Sequence, residues 1–136
     1  MTARRTLLAF VAGFAATIFF HQPMLWLLHL AGMTPRMPYA MTPVPPFGVP
    51  SVISLSFWGG VWGIILVLAL GHLRHNFIAA SIAFGAVAPT IGAWLINNYI
   101  KHQPMPATAS SLIFGLLVNG AWGLGTALLF RFFTGK

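Results

Sequence analysis

The chain has 136 residues, of which 58% are hydrophobic and 5% are charged, and its seven Lys and Arg residues are accompanied by no Asp, Glu or Cys. The missing carboxylates exclude paired-carboxylate hydrolysis, Asp-oriented catalytic triads and proton transport through an intramembrane acid, and the missing cysteines exclude thiolate metal sites. Because soluble domains carry about 25% charged residues, the main solvent of this chain must be lipid.

The first predicted membrane span covers residues 6–29, which is long enough to cross about 30 Å of hydrocarbon. Pro23 interrupts this span, so the helix either kinks there or ends near His21 with the following residues lying at the interface. We favour one kinked helix. Arg4 and Arg5 precede it and are interpreted as a cytoplasmic anchor.

Residues 31–50 contain six prolines and are predicted to form a long loop without helix. Proline favours an extended, polyproline-like backbone. The loop is rich in Met, Tyr and Phe and poor in charge, unlike a solvated linker. We therefore expect it to pack across the outer mouth of the helix bundle.

Three further spans are predicted over residues 51–71, 77–100 and 108–130, with a kink at Pro89 in the third helix. The predicted fold is an all-α membrane protein, with residues 1–136 forming a single domain. Its four transmembrane helices are arranged as two helix hairpins.

The distribution of Lys and Arg predicts the orientation. If the N-terminus is cytoplasmic, the inner side holds five of the seven cations and the outer side holds Arg36 and Lys101. The positive-inside rule then places both termini in the cytoplasm of a multi-pass protein of the bacterial inner membrane. The cations are interpreted as topology markers and lipid-headgroup anchors, because they are too dispersed to form a nucleic-acid-binding stripe.

Two short motifs suggest an internal repeat. The tetrapeptide HQPM occurs at residues 21–24 and 102–105, 81 residues apart, and GxWG occurs at residues 60–63 and 120–123, 60 residues apart. The two offsets differ by about the length of the Pro-rich loop. This pattern predicts two similar hairpins running in the same sense, related by a pseudo-two-fold axis along the membrane normal.

Glycines spaced three or four residues apart predict close helix packing in the second and fourth spans. They are Gly59, Gly60, Gly63, Gly120 and Gly123. The tryptophan of each GxWG motif is expected to lie beside the resulting groove.

The HQPM motifs are the strongest indication of a chemical function in the sequence, because His and Met together are suitable ligands for copper, especially Cu(I). In the predicted topology the candidate ligands His21, Met24, His102 and Met105 all lie toward the outer face. A haem held by the two histidines is a related alternative. The competing interpretation, which we favour, has no cofactor: the motifs mark helix ends at the headgroups, and Met fills space in lipid.

Three asparagines, Asn97, Asn98 and Asn119, are predicted to face the bundle interior, because their amides need hydrogen-bond partners in lipid. Interhelical hydrogen bonding is the default interpretation. The alternative is a polar pathway for a small solute, and the positive charge of the chain favours an anion or a neutral solute over a cation.

The stretches FHQPMLWLLH, PPFGVP and WGGVWG, which together span much of the chain, resemble the pattern of a family of small four-helix proteobacterial inner-membrane proteins of uncharacterised activity. The resemblance implies a four-helix fold but no activity. The matching pattern residues, none with an established role, are His21, Gln22, His29, Pro46, Phe47, Gly48 and Pro50.

The leading functional hypothesis is a non-enzymatic accessory, interaction or structural protein of the membrane. Its expected partners are the lipid bilayer and either a second copy of the chain or a larger membrane complex, with no nucleic acid. The alternatives are a His/Met copper or haem site at the outer face and permeation of a small solute between the hairpins. An enzyme ranks third, because His is the only side chain present that titrates near neutral pH.

Overall fold

A computed structural model describes all 136 residues. Four helices are long and apolar enough to cross a membrane: α1 (Ala3–Leu30), α2 (Ser51–Leu70), α3 (Phe77–Ile100) and α4 (Ala109–Thr134). The chain is therefore an all-α, multi-pass membrane protein, as its composition predicts. Helix α4 continues beyond the predicted end at residue 130, and Gly135 terminates it in the left-handed conformation.

Helix α1 passes through Pro23 without ending. The segment Thr17–His21, which ends two residues before the proline, is π-helical, and the backbone N–H of Gln22 donates to the carbonyl of Thr17. This wider turn accommodates the missing N–H of proline and its ring, and Gln22–Leu30 continues as α-helix. Helix α3 likewise runs through Pro89 and ends in a π-helical segment, Ile96–Ile100.

The two hairpins lie side by side and meet through α1 and α4. Helix α1 packs against both α2 and α4, and α3 packs mainly against α4. The buried core combines small residues of α1 with larger side chains of the other helices, among them Leu66, Trp122 and Phe130. Because the small residues keep the surface of α1 flat, its neighbours approach it closely.

Glycines form the helix crossing of the first hairpin. Gly13 of α1 lies against Gly59 and Gly63 of α2, where an added Cβ would overlap the carbonyl oxygen of Gly59 and lie 3.0 Å from the Cα of Gly63. The two backbones are therefore in direct contact, which dispersion forces favour in a lipid solvent.

The second hairpin repeats this crossing. A Cβ added to Gly85 of α3 would lie 2.7 Å from both the carbonyl oxygen of Asn119 and the Cα of Gly123 in α4. Asn119 and Gly123 follow Gly59 and Gly63 by 60 residues, and Gly85 follows Gly13 by 72. Both hairpins therefore cross through backbone contacts, although the offset of 72 between their first helices differs from the 81 residues that separate the HQPM motifs.

The other glycines predicted for helix packing have different neighbours. Gly60 lies against the ring of Phe10, and a Cβ on Gly120 would meet only the Cβ of Ala86, at 3.6 Å. Of the five predicted glycines, Gly59, Gly63 and Gly123 therefore contact a neighbouring backbone, and Gly60 and Gly120 do not.

The Pro-rich loop contacts the bundle with only part of its length. Its tip forms a two-residue antiparallel ladder between β1 (Pro43–Val44) and β2 (Val49–Pro50), and Phe47 in the tip is 86% exposed. The earlier part of the loop is bonded to α1, and its Pro38 is buried. The expected packing across the bundle therefore applies to this earlier part and is wrong for the tip.

We predict that Gly13→Ala lowers the free energy of unfolding by about 1–3 kcal/mol, because the added methyl group forces α1 and α2 apart. The measurement is thermal or denaturant unfolding of the purified protein in mild detergent. Gly120→Ala is the matched control, since its methyl group enters ordinary van der Waals contact and should leave stability unchanged or slightly higher. Equal destabilisation by both variants would contradict the assigned crossing.

Candidate functional site

The first HQPM motif holds the Pro-rich loop on α1. Gln22 is 3% exposed, and its Oε1 accepts the backbone N–H of Tyr39 at 2.7 Å. Its Nε2 lies 3.1 Å from Nδ1 of His21. The hydroxyl of Tyr39 donates to the carbonyl of Ile18, within the π-helical segment, at 2.8 Å. Both polar ends of the Gln22 amide are therefore satisfied, and one of them fixes the loop.

Two further contacts extend this attachment. Nδ1 of His29 lies 3.0 Å from the carbonyl oxygen of Thr34. The guanidinium of Arg36 stacks over the ring of Phe114 in α4, 5.6 Å from its centroid. The loop thus bridges the ends of α1 and α4 that lie opposite the chain termini.

The second HQPM motif has a different structure. It lies in the irregular linker between α3 and α4, where His102 and Gln103 are exposed. Asn98 binds the backbone of Met105, accepting its N–H at 3.2 Å and donating to its carbonyl at 3.3 Å. The Nδ2 of Asn97 lies 3.8 Å from Sδ of Met105. Asn97 and Asn98 therefore bind this linker at the end of α3.

Three of the four candidate metal ligands have separate local partners, and the fourth, His102, is exposed in the linker. Nδ1 of His21 faces the Gln22 amide, and Sδ of Met105 faces the amide of Asn97. Met24 packs beside the small core cluster that contains Leu25. Nowhere in the chain do three or more His, Cys, Asp or Glu side chains converge. The observed contacts of the two motifs are thus with the loop and the linker.

Asn119 links α3 to α4. Its Nδ2 donates to Oγ1 of Thr90 at 2.9 Å, and the Thr90 hydroxyl donates to the carbonyl of Ala86 at 2.6 Å. This arrangement is the interhelical hydrogen bond expected of an asparagine in a helix bundle. It is separate from the contacts that Asn97 and Asn98 make with the linker.

An indole joins the two hairpins at the first glycine crossing. Trp122 is 3% exposed, and its Nε1 donates to the carbonyl oxygen of Gly13 at 3.0 Å. The hydroxyl of Thr17 donates to the same oxygen at 3.1 Å. The GxWG motif indicates that Trp122 lies beside a groove, but nothing in the sequence around Gly13 indicates its acceptor.

A cavity of about 800 Å³ lies at the end of the bundle that holds both chain termini. The beginning of α1, the α2–α3 linker and the end of α4 line this basic cavity. Its cations are Arg4, Arg5, Arg74, Arg131 and Lys136. These are the five cations that the sequence places on one side of the membrane. The sequence does not predict that they surround one cavity.

Two of these arginines are fixed by aromatic rings and backbone carbonyls. Arg5 donates to the carbonyl of Gly71 at 3.1 Å and stacks over Phe130, 5.5 Å from the ring centroid. Arg131 donates to the carbonyl of Arg74 and stacks over Phe77, 5.7 Å from the ring centroid. Both guanidinium groups are therefore held at the wall of the cavity before any ligand binds.

Comparison of the chain with protein-family models, with curated proteins and with solved structures finds no match. The resemblance to the proteobacterial family stays a prediction.

We predict that Gln22→Met frees the loop, because the N–H of Tyr39 loses its acceptor. Trypsin should then cleave after the exposed Arg36 about tenfold faster, from the loss of a buried hydrogen bond worth about 1–3 kcal/mol. Gln103→Met, the same change in the second HQPM motif, is the control and should leave this rate unchanged, since Gln103 is exposed. Unchanged cleavage in both variants would mean that Gln22 does not hold the loop.

A double-mutant cycle tests the bond between Asn119 and Thr90. We expect Asn119→Ala and Thr90→Ala to show a coupling free energy of about 0.6–1.7 kcal/mol, the range of interhelical hydrogen bonds in membranes. The measurement is unfolding of the single and double variants in detergent. Additive effects would show that the two side chains do not interact.

Proposed function

We propose that the chain is a non-enzymatic accessory protein of the bacterial inner membrane, which binds a transmembrane helix of a partner complex through α3. The observation that carries this proposal is the exposure of α3. Only 11% of its most apolar stretch is buried, compared with 33–39% in the other three helices. Helix α3 therefore has the most surface left for a partner in the membrane.

The exposed face of α3 has the shape that suits a helix partner. Every fourth residue along this face is exposed, from Ala79 and Ala83 through Val87 and Ile91 to Leu95. Residues four apart lie in one row along a helix. Small residues at one end of the row allow another helix to approach closely, which supports association in lipid.

The orientation proposed for the chain has both termini in the cytoplasm. Five of the seven cations surround the basic cavity beside the termini, whereas Arg36 and Lys101 belong to the segments at the other end. The positive-inside rule supports a cytoplasmic position for the cavity. The Pro-rich loop then faces the periplasm.

We also propose that the two hairpins are a parallel internal repeat. Support comes from the similar crossings, in which Gly13 and Gly85 meet partners that lie 60 residues apart. The HQPM motifs contribute less, because one lies within a helix and the other in a linker, and because their offset of 81 differs from the 72 residues between Gly13 and Gly85.

Photo-cross-linking in native membranes tests the partner surface. We expect a photoreactive amino acid at Ala83 to cross-link to one defined membrane protein, and the same group at Leu68 of α2, which is 61% exposed, to give no such product. A product of twice the chain mass would identify the partner as a second copy instead. If the photoreactive group labelled only lipid at both Ala83 and Leu68, the proposal would be contradicted.

Purification from native membranes provides an independent check. The accessory role predicts co-purification of the protein that Ala83 captures. Three results would instead support one of the alternative functions over the accessory role. They are stoichiometric copper or iron by elemental analysis, a Soret absorption band, and solute flux in proteoliposomes that Asn119→Ala abolishes.

Reporter fusions test the orientation. Alkaline phosphatase fused after Arg36 should be active, because that site is periplasmic in the proposed topology, and fused after Arg74 it should be inactive. A cytoplasmic reporter should show the opposite pattern. If the reporters placed Arg36 and Arg74 on the same side of the membrane, an odd number of spans between these two residues would be refuted.

A further inference from the structure

The basic cavity has the features of a binding site for an anionic lipid. We propose that it binds the phosphate of an anionic phospholipid, with Arg5 and Arg131 as the principal ligands. This proposal goes beyond the accessory role and does not depend on it, since α3 binds its partner through a different surface. It rests on the charge of the cavity, the geometry of the two arginines and the apolar side chains beneath them.

The charge of the cavity favours an anionic ligand. Five Lys and Arg side chains line it, and the chain has no Asp or Glu that could neutralise them. Arg5 and Arg131 are half-buried and the other three cations are exposed, so the five keep much of their hydration but repel one another. A bound anion reduces this repulsion, and no side chain of this protein can supply one.

Arg5 and Arg131 are positioned to bind phosphate. A guanidinium carries five N–H donors, and each of these two groups donates one hydrogen bond to a backbone carbonyl. Stacking on Phe130 and Phe77 fixes the planes of the two groups. The remaining N–H groups can then bind phosphate oxygens in the bidentate manner typical of arginine.

The apolar part of the cavity distinguishes a lipid from free phosphate. Leu8 and Leu73, which are half-buried, line the same space as the arginines, whereas Phe77 and Phe130 are buried under the two guanidinium groups. A free phosphate would leave the two leucines uncovered, whereas a phospholipid carries hydrocarbon directly beside its phosphate. The cavity also lies at the helix ends, at the depth where headgroups lie, and basic pockets between transmembrane helices commonly bind anionic lipids there.

Native mass spectrometry of the full-length protein in mild detergent tests the site, with phosphatidylglycerol as the titrated lipid. We expect Arg5→Gln combined with Arg131→Gln to raise the dissociation constant about 30-fold, since each interfacial cation contributes about a factor of five. The control combines Arg36→Gln with Lys101→Gln, which removes the same charge from the opposite end of the bundle and should leave the constant unchanged. Equal weakening by both pairs would overturn the site in favour of diffuse attraction.

A second pair keeps the test decisive if the first destabilises the fold. The side chains of Arg4 and Arg74 line the cavity but are exposed, so Arg4→Gln with Arg74→Gln should preserve the fold and still weaken binding severalfold. An unchanged constant for this pair would contradict the proposal.

Two competing ligands identify the chemistry. Phosphatidylcholine, which carries the same phosphate but no net charge, should bind far more weakly than phosphatidylglycerol. Millimolar inorganic phosphate should fail to displace phosphatidylglycerol. Equal binding of the two lipids, or displacement by inorganic phosphate, would overturn the assignment to an anionic lipid.

Discussion

The carbonyl oxygen of Gly13 is the point on which the arrangement of the four helices depends. It accepts hydrogen bonds from the indole of Trp122 and from the hydroxyl of Thr17, at the place where α1 crosses α2 without intervening side chains. In lipid no water can satisfy such groups, and no hydrophobic effect drives helices together. Close backbone packing and this shared acceptor therefore connect the first hairpin to α4.

The hairpin crossings also explain how the termini come together. With α1 held between α2 and α4, the beginning of α1 and the end of α4 lie at the same end of the bundle. Arg5 then reaches the carbonyl of Gly71, and Arg131 reaches that of Arg74. The basic cavity is thus a consequence of helix packing in the membrane, and it concentrates charge that the sequence shows only as dispersed residues.

Much of the fold follows from the sequence, whereas the contacts within it depend on helix rotation and local backbone form. Long apolar runs predict the four helices, because length and hydropathy alone decide whether a segment can span lipid. Which of Gly59 and Gly60 contacts a backbone depends on the rotation of α2. On α1 the small residues Ala9, Gly13 and Thr17, spaced four apart, are the signal that could have located the crossing. Asn97 and Asn98 bind the linker because α3 ends there, in a π-helical segment that spacing does not reveal. The two HQPM motifs differ because only Gln22 meets the loop.

Comparison of Trp122→Phe with Trp62→Phe tests the central claim most directly, since both remove an indole from equivalent GxWG motifs. Nε1 of Trp122 donates to Gly13, whereas Trp62 packs against Phe84 and Gly92. Thermal unfolding in detergent should show that Trp122→Phe costs about 0.5–1.5 kcal/mol more than Trp62→Phe, because it removes the hydrogen bond between the hairpins while Thr17 continues to donate to the same oxygen. Equal destabilisation by the two substitutions would contradict the account.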